Sequence, residues 1–176
     1  MRDYGQVQCA WWGHPDTSGL SDDAKLLFLY LLTGPHSNGL GCYRLPFGYV
    51  SSDTGKGIDS LSKGFLEIEG KGLAYHCKVT EFVWIPKYLK WNQISNGKVA
   101  KARQKEFQDV PSKFQHIQGV ARDILSYGKH FEEPFRYRIE TLVGARSETL
   151  SKQEPNLTEP NRPVPRGCDF DTGEIL

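Results

Sequence analysis

The longest apolar run in the chain is 26–32, LLFLYLL, with no charged or amide side chain in it. Ser21 precedes it as an N-cap, whose side-chain oxygen can accept an amide hydrogen of the first turn. Asp22 and Asp23 then place negative charge at the positive end of the helix dipole. A segment with no wet face predicts a short helix in the middle of a domain. Gly34 is expected to take the left-handed conformation after the last turn, and Pro35 cannot continue the helix.

The residues that follow supply partners for it. HSNG reads as a loop and 40–45 as a short extended segment. Pro46, with its preset φ, suits the start of a second helix over 47–54 that turns Phe47 and Val50 inward and stops at Gly55. In GIDSLSKGFLEIEGKG, Ile58, Leu61, Phe65 and Ile68 form one stripe at helical spacing, which predicts a helix over 57–69. Its opposite face carries Lys56, Asp59, Ser60, Lys63 and Glu67. The runs 73–78 (LAYHCK) and 81–86 (EFVWIP) are aromatic and β-branched, with Val79-Thr80 between them, and read as a hairpin without the usual turn residues. Buried helix, short strand, short helix, striped helix and hairpin is the order of a winged helix-turn-helix.

Before and after this block the pattern loosens. Residues 1–20 hold Tyr4, Val7, Trp11 and Trp12 among Gly, Pro, Asp and Ser. Adjacent tryptophans there predict a lid on the core, with a base-stacking or partner-binding platform as the alternative. KYLKWNQISNGK reads as a linker anchored by Trp91. The segment 98–109 is helical in pattern yet polar almost all round, which suits a solvated helix or one awaiting a partner. Pro111 breaks it. Residues 112–127 predict a second appended helix with Phe114, Ile117, Val120, Ala121, Ile124 and Leu125 on one side. A third segment near 135–143 carries Arg136 and Arg138 among Tyr137, Ile139, Leu142 and Val143. From 147 onward Pro155, Pro160, Pro163 and Pro165 interrupt a polar tail that cannot bury enough surface to fold alone. Phe170 near its end is a candidate anchor for a partner.

The expected fold class is therefore α+β, mainly α: a winged helix-turn-helix domain over 1–95, an appended helical region over 96–146, and a flexible Pro-rich tail over 147–176. Its 176 residues suffice for one ordinary core. Charge adds little, since 22 Lys and Arg face 21 Asp and Glu for a net +1. Residues 1–95 are neutral (9 against 9), 96–150 are net +3 (10 against 7), and 151–176 are net −2 (3 against 5). That balance excludes a strongly basic nucleic-acid binder. Cys9, Cys42, Cys77 and Cys168 form no CxxC pair, and reduced thiols in a cytosolic protein are expected rather than a zinc site. His76 and Cys77 are neighbours in a strand, so they point to opposite faces. No apolar run approaches the ~20 residues that span a membrane, and MRDYGQVQ has no signal-peptide character.

The runs YLLTGPHSNGLGCYRLPFGYVSSDTG and VWIPKYLKWN, with the MRDYG start, resemble the N-terminal winged-helix domain of phage and prophage replication proteins, the replisome organisers and helicase-loader accessories. The resemblance covers about residues 1–95. It implies a phage-encoded protein acting on double-stranded DNA at replication initiation in the bacterial cytoplasm. The family usually carries a C-terminal module for the helicase or for single strands, and residues 96–176 show no signature of one.

On a winged-helix mode of binding, helix 57–69 enters the major groove. Lys56, Ser60 and Lys63 are then the candidate contacts, Lys78 and Thr80 lie at the wing tip, and Lys87 and Lys90 reach phosphates. Lys98, Lys101, Arg103 and Lys105 form a second candidate, a backbone clamp. The plain alternative for both is a solvated face, because acidic residues lie among the lysines and phosphate neutralisation supplies most non-specific affinity. A small neutral domain is expected to bind as a dimer. The competing class is an interaction module that captures a host replication or defence protein, with Trp11, Trp12 and Phe170 as contacts. Catalysis finds no motif: TGKG at 54–57 lacks the earlier Gly of a phosphate loop, and no GxSxG or HExxH is present. No enzyme activity, cofactor or metal is expected.

Overall fold

Three strands of three residues each divide the protein into two packed halves. The structure is a computed structural model that describes residues 5–151, with side chains described to residue 144. After a 3-10 turn at Cys9–Gly13, its elements are α1 (Pro15–Ser18), α2 (Asp22–Thr33), β1 (Cys42–Arg44), α3 (Phe47–Thr54), α4 (Ile58–Gly70), β2 (Tyr75–Cys77) and β3 (Phe82–Trp84). The helices α5 (Tyr88–Trp91), α6 (Gly97–Gln108), α7 (Ile117–Tyr127) and α8 (Glu133–Ser151) follow. The described chain is mainly helical, with one small antiparallel sheet of order β1-β3-β2.

Alternation along the strands decides what each face of the sheet meets. Tyr43 and Val83 join Leu27, Leu31, Leu61, Phe65 and Ile68, so α2, α3 and α4 cover the near face. His76 points the same way, stacked on Phe47 at 4.6 Å with its Nε2 3.1 Å from the Leu45 carbonyl. Cys42, Cys77 and Phe82 point to the far face and join Phe114, Ile117, Val120, Ile124, Phe135 and Ile139. The separation of His76 from Cys77 is thus as the strand pattern requires. The helices after residue 96 share a core with the sheet, and α8 runs on past residue 147 to Ser151.

Several local expectations hold in detail. Ser21 Oγ accepts the Ala24 N–H at 3.3 Å, and α3 ends at Gly55 in the left-handed region, φ 69°. Asn38 closes the HSNG loop: its Oδ1 accepts the N–H groups of Leu40 and Gly41 at 3.1 and 3.0 Å, and its Nδ2 donates to the Cys42 carbonyl at 2.7 Å. Asn96, within the stretch read as a linker, caps α6 through the Val99 N–H at 3.0 Å, which the sequence reading did not anticipate.

Other expectations need correction. The α2 helix is not buried all round, for Leu26 is 41% exposed while Ala24, Leu27, Phe28 and Leu31 form the covered face. The fold supplies layers on only some sides of it. Gly34 is extended (φ −63°, ψ 160°) rather than left-handed, because a residue before proline is pushed to that region. Glycine is needed there for space: a Cβ would lie 2.7 Å from the Tyr30 carbonyl oxygen. Ile58, at the start of the α4 stripe, is 46% exposed, and Trp91 is 60% exposed. Tyr88, Leu89 and Ile94 are the residues that bury the linker. The hairpin turn spans Lys78 to Glu81, with Glu81 at φ 57° donating its N–H to the Cys77 carbonyl. The helix expected from 112 starts at Ile117, since Phe114 and Ile117 close short turns onto Pro111 and Phe114.

A core shared across the sheet has a measurable consequence. Leu31 lies in the near half and Phe114 in the far half, exposed 0% and 1%. Leu31→Ala should cost about 2–5 kcal/mol and Phe114→Ala about 3–5 kcal/mol. Each should lower the midpoint of one common urea transition followed by circular dichroism. Separate transitions, each moved by only one substitution, would show that the halves fold independently.

Candidate nucleic-acid interface

The outward side of α4 is what remains after its neighbours have claimed the rest. Leu61, Gly64, Phe65 and Ile68 are buried, and Gly64 brings α4 against the α2 backbone, with a Cβ there meeting Ala24 Cα at 3.4 Å. At that close approach the polar flank of α4 meets the first turn of α2. Lys56 Nζ lies 2.6 Å from Asp23 Oδ1, and the Ser60 hydroxyl donates to Asp23 Oδ2. Glu67 accepts the Ser21 N–H at 2.9 Å and the Ser21 hydroxyl at 2.8 Å. The Ser21 hydroxyl thus caps α2 and donates to α4 at once.

These contacts leave the carboxylates readier to ionise. Lys56, with Ser60, holds the Asp23 carboxyl below its usual range. The backbone N–H of Ser21, with its hydroxyl, does the same for Glu67. Of the predicted α4 contacts, Lys56 and Ser60 are therefore engaged within the fold. Lys63 is exposed and in no ion pair among the described residues. Beside it on the outward face stand Asp59 and Leu66, the latter 69% exposed.

At the hairpin, Lys78 is exposed and Val79 is 82% exposed. Thr80 Oγ1 accepts the Phe82 N–H at 3.4 Å, so it shapes the turn. Arg44 pairs with Glu81 at 2.5 Å behind the tip. Lys87 has a left-handed backbone, φ 58°, and its N–H donates to Asp123 at 2.7 Å. Lys90 lies over its neighbour Trp91, 5.0 Å from the ring centre.

The four cations of α6 separate into two groups. Arg103 turns inward, with Nη1 2.8 Å from both carboxylate oxygens of Glu106. Its guanidinium covers Gly39, where a Cβ would overlap it. Burial pushes the Glu106 carboxyl up even though Arg103 opposes the shift. Lys98, Lys101 and Lys105 stay exposed and share one helical face by their spacing. Lys101 meets Glu132 at 3.1 Å in an exposed pair of the kind that adds little stability. The α4 face belongs to the near half and the α6 stripe to the far half.

Trp11 packs on Phe28, ring centres 6.3 Å apart, and meets Trp12 edge-on at 4.8 Å. It serves as the expected lid, with its indole N–H buried and without an acceptor among the described residues. Trp12 is 66% exposed. Phe170 lies outside the described residues. Unforeseen in the sequence is a cluster of Tyr75, Trp84 and His116 on the far half. The period-2 pattern puts Tyr75 and Trp84 on one face, but nothing in it points to His116. Among the described residues no three His, Cys, Asp or Glu side chains gather as a metal site would need, and no helix is long and apolar enough to cross a membrane. Compared with protein-family models, curated proteins and solved structures, the chain matches none.

The depressed carboxylates set a pH dependence. Their folded-state pKa values lie below the unfolded ones, so their stabilisation is complete above the ordinary carboxylate range and is lost as pH falls through the folded values. Between about pH 5 and about pH 2, Glu67→Gln should flatten the fall of Tm relative to the parent protein. Thermal melts across that range test it, and an unchanged slope would uncouple Glu67 from the α2 cap.

Proposed function

We propose that the chain is a winged-helix protein that holds duplex DNA, with α4 as the reading helix and the β2–β3 turn as the wing. The observation that carries this reading is topological. Helix, strand, helix, helix and hairpin follow one another with strand order β1-β3-β2, and the outer face of α4 is left open by α6, α7 and α8, which pack on the far side of the sheet. The resemblance to phage replication proteins supplies the setting: replication initiation, or its regulation, in a bacterial cytoplasm.

The distribution of charge shapes the mode of binding. Lys63 approaches the groove, Lys78 approaches the backbone beside it, and Lys56 is held back by Asp23. A pair of lysines neutralises few phosphates, so one copy binds weakly and two copies on adjacent half-sites are the effective unit. The Lys98, Lys101 and Lys105 stripe serves a different stretch of nucleic acid from the one under α4. A second reading, capture of a host replication or defence protein, draws on exposed Leu66 beside Lys63 and on exposed Trp12.

Fluorescence anisotropy with a labelled duplex, titrated from about 50 mM to about 200 mM salt, separates the readings. Lys63→Glu should weaken binding roughly tenfold or more and lower the salt slope by about 0.9 for each phosphate it no longer neutralises, with Tm unchanged. Lys56→Glu is the poorer probe, since it also sets two acids against each other at the α2 cap. Binding untouched by Lys63→Glu but abolished by reversing Lys98, Lys101 and Lys105 would move the duplex to α6. No duplex binding at low salt would favour the protein-capture reading.

A further inference from the structure

A cavity of about 220 Å³ opens on the far half, where the end of α6, the turn after it and α8 meet. Phe135, Arg138, Ile139 and Leu142 share one face of α8 by their spacing and form one wall. Phe107 stands across from them, its ring edge-on to Phe135 at 5.9 Å and 78°. Gln118 Nε2 donates to the Leu142 carbonyl at 3.4 Å and ties α7 to the α8 wall. Small-molecule pockets run to roughly 300–1,000 Å³, so this cavity has the size of one large apolar side chain.

Charge is uneven around its rim. Arg138 is exposed and in no ion pair among the described residues. The same holds for Lys113, which follows the rim residue Ser112. Glu140 falls on the opposite side of α8 by its spacing. On the α6 side, exposed Asp109 follows the rim residue Gln108. An apolar group flanked by acids therefore fits with its acids turned away from α6, toward Arg138 and Lys113.

We propose that this groove holds residues 168–176 of the same chain, CDFDTGEIL, with Phe170 in the cavity and Asp169 and Asp171 at Arg138 and Lys113. Phe170 is the one aromatic residue in 152–176, and an acid stands on each side of it. Val164 lies between Arg162 and Arg166, which have the wrong sign for this rim. Leu157 is too near the helix end. The α8 helix continues nine residues past Leu142 to Ser151, which sets its end about 14 Å beyond the cavity. The six residues from Ser151 to Leu157 reach about 20 Å fully extended, with little left for the turn back. Phe170 is nineteen residues on, and an unstructured chain of that length spans about 25 Å root-mean-square. Such a tether gives an effective concentration in the millimolar range, so a weak contact keeps the groove filled. Net charge agrees, at +3 over 96–150 and −2 over 151–176. Every lining residue comes from 107–142, so the site stands or falls apart from the duplex reading.

Anisotropy of a labelled peptide of residues 167–176, carrying Cys168→Ser, added to the full chain tests the proposal. The parent protein should bind it about tenfold more weakly than the Phe170→Ala variant, because its own segment competes at millimolar effective concentration. In the Phe170→Ala background, Arg138→Glu should weaken the peptide severalfold. A peptide that also carries Asp169→Lys and Asp171→Lys should recover that loss. The recovery decides, since a chain that had merely unfolded would not bind the swapped peptide. The proposal is overturned if the peptide fails to bind the Phe170→Ala chain at millimolar concentration. Equal binding by parent and Phe170→Ala also overturns it and leaves the groove to a segment of another protein. Oligomers of the parent that Phe170→Ala removes would overturn it too, because the segment would then fill the groove of a second copy.

Discussion

The structure depends on the pleat of a sheet too small to stand by itself. Three strands of three residues each leave both outer edges of the sheet unpaired, and such a sheet needs packing to persist. It receives packing on both faces. Tyr43, His76 and Val83 direct one half of the chain inward, while Cys42, Cys77, Phe82 and Trp84 direct the other. A slip of one residue in any strand would exchange the two sets. Each set meets its own partners: near His76 are Phe47 and Phe65, whereas near Phe82 is Phe114. Register is therefore fixed by two cores at once.

That constraint explains which parts of the fold are legible in the chain. Caps and stripes are local, so Ser21, Gly55 and the Leu61, Phe65, Ile68 face can be read directly from spacing. What spacing does not show is what lies on the second face of the sheet. The α6 helix looks solvated because only Val99, Ala102 and Phe107 stand out as apolar, yet Ala100 is the residue it buries. A small side chain at a close approach gives little signal in a hydrophobicity pattern. Gly39 and Gly119 are of the same kind: each leaves room for a large neighbour, Arg103 or Trp84, distant in sequence. At Gly34 two local rules compete, and the steric rule of the following proline prevails over the helix-end preference for left-handed glycine.

The candidate surface is less legible than the fold, for an electrostatic reason. A helical projection of α4 sorts residues into apolar and polar, but it does not say which polar ones a neighbouring helix will take. By position alone Asp23 is a dipole partner for α2 and Lys56 a free cation, whereas in the fold each answers the other at 2.6 Å. Arg103 groups with three exposed lysines by spacing, although Glu106 holds it with two hydrogen bonds. Internal pairing takes Lys56 from the α4 face and Arg103 from the α6 group. Counting cations in sequence thus overstates what a surface can offer to phosphate.

The same neutrality bears on how such a protein could prefer one nucleic-acid form to another. Non-specific attraction to any polyanion grows with the number of unpaired cations, and both candidate faces have few. The two sides of the sheet also differ in shape, with a helix and turn on one and the stacked Tyr75, Trp84 and His116 rings on the other. The sheet between these two surfaces is the element they share. Because Trp84 and Val83 are adjacent residues of β3, one among the stacked rings and one packed behind α4, any shift of that strand moves both surfaces together.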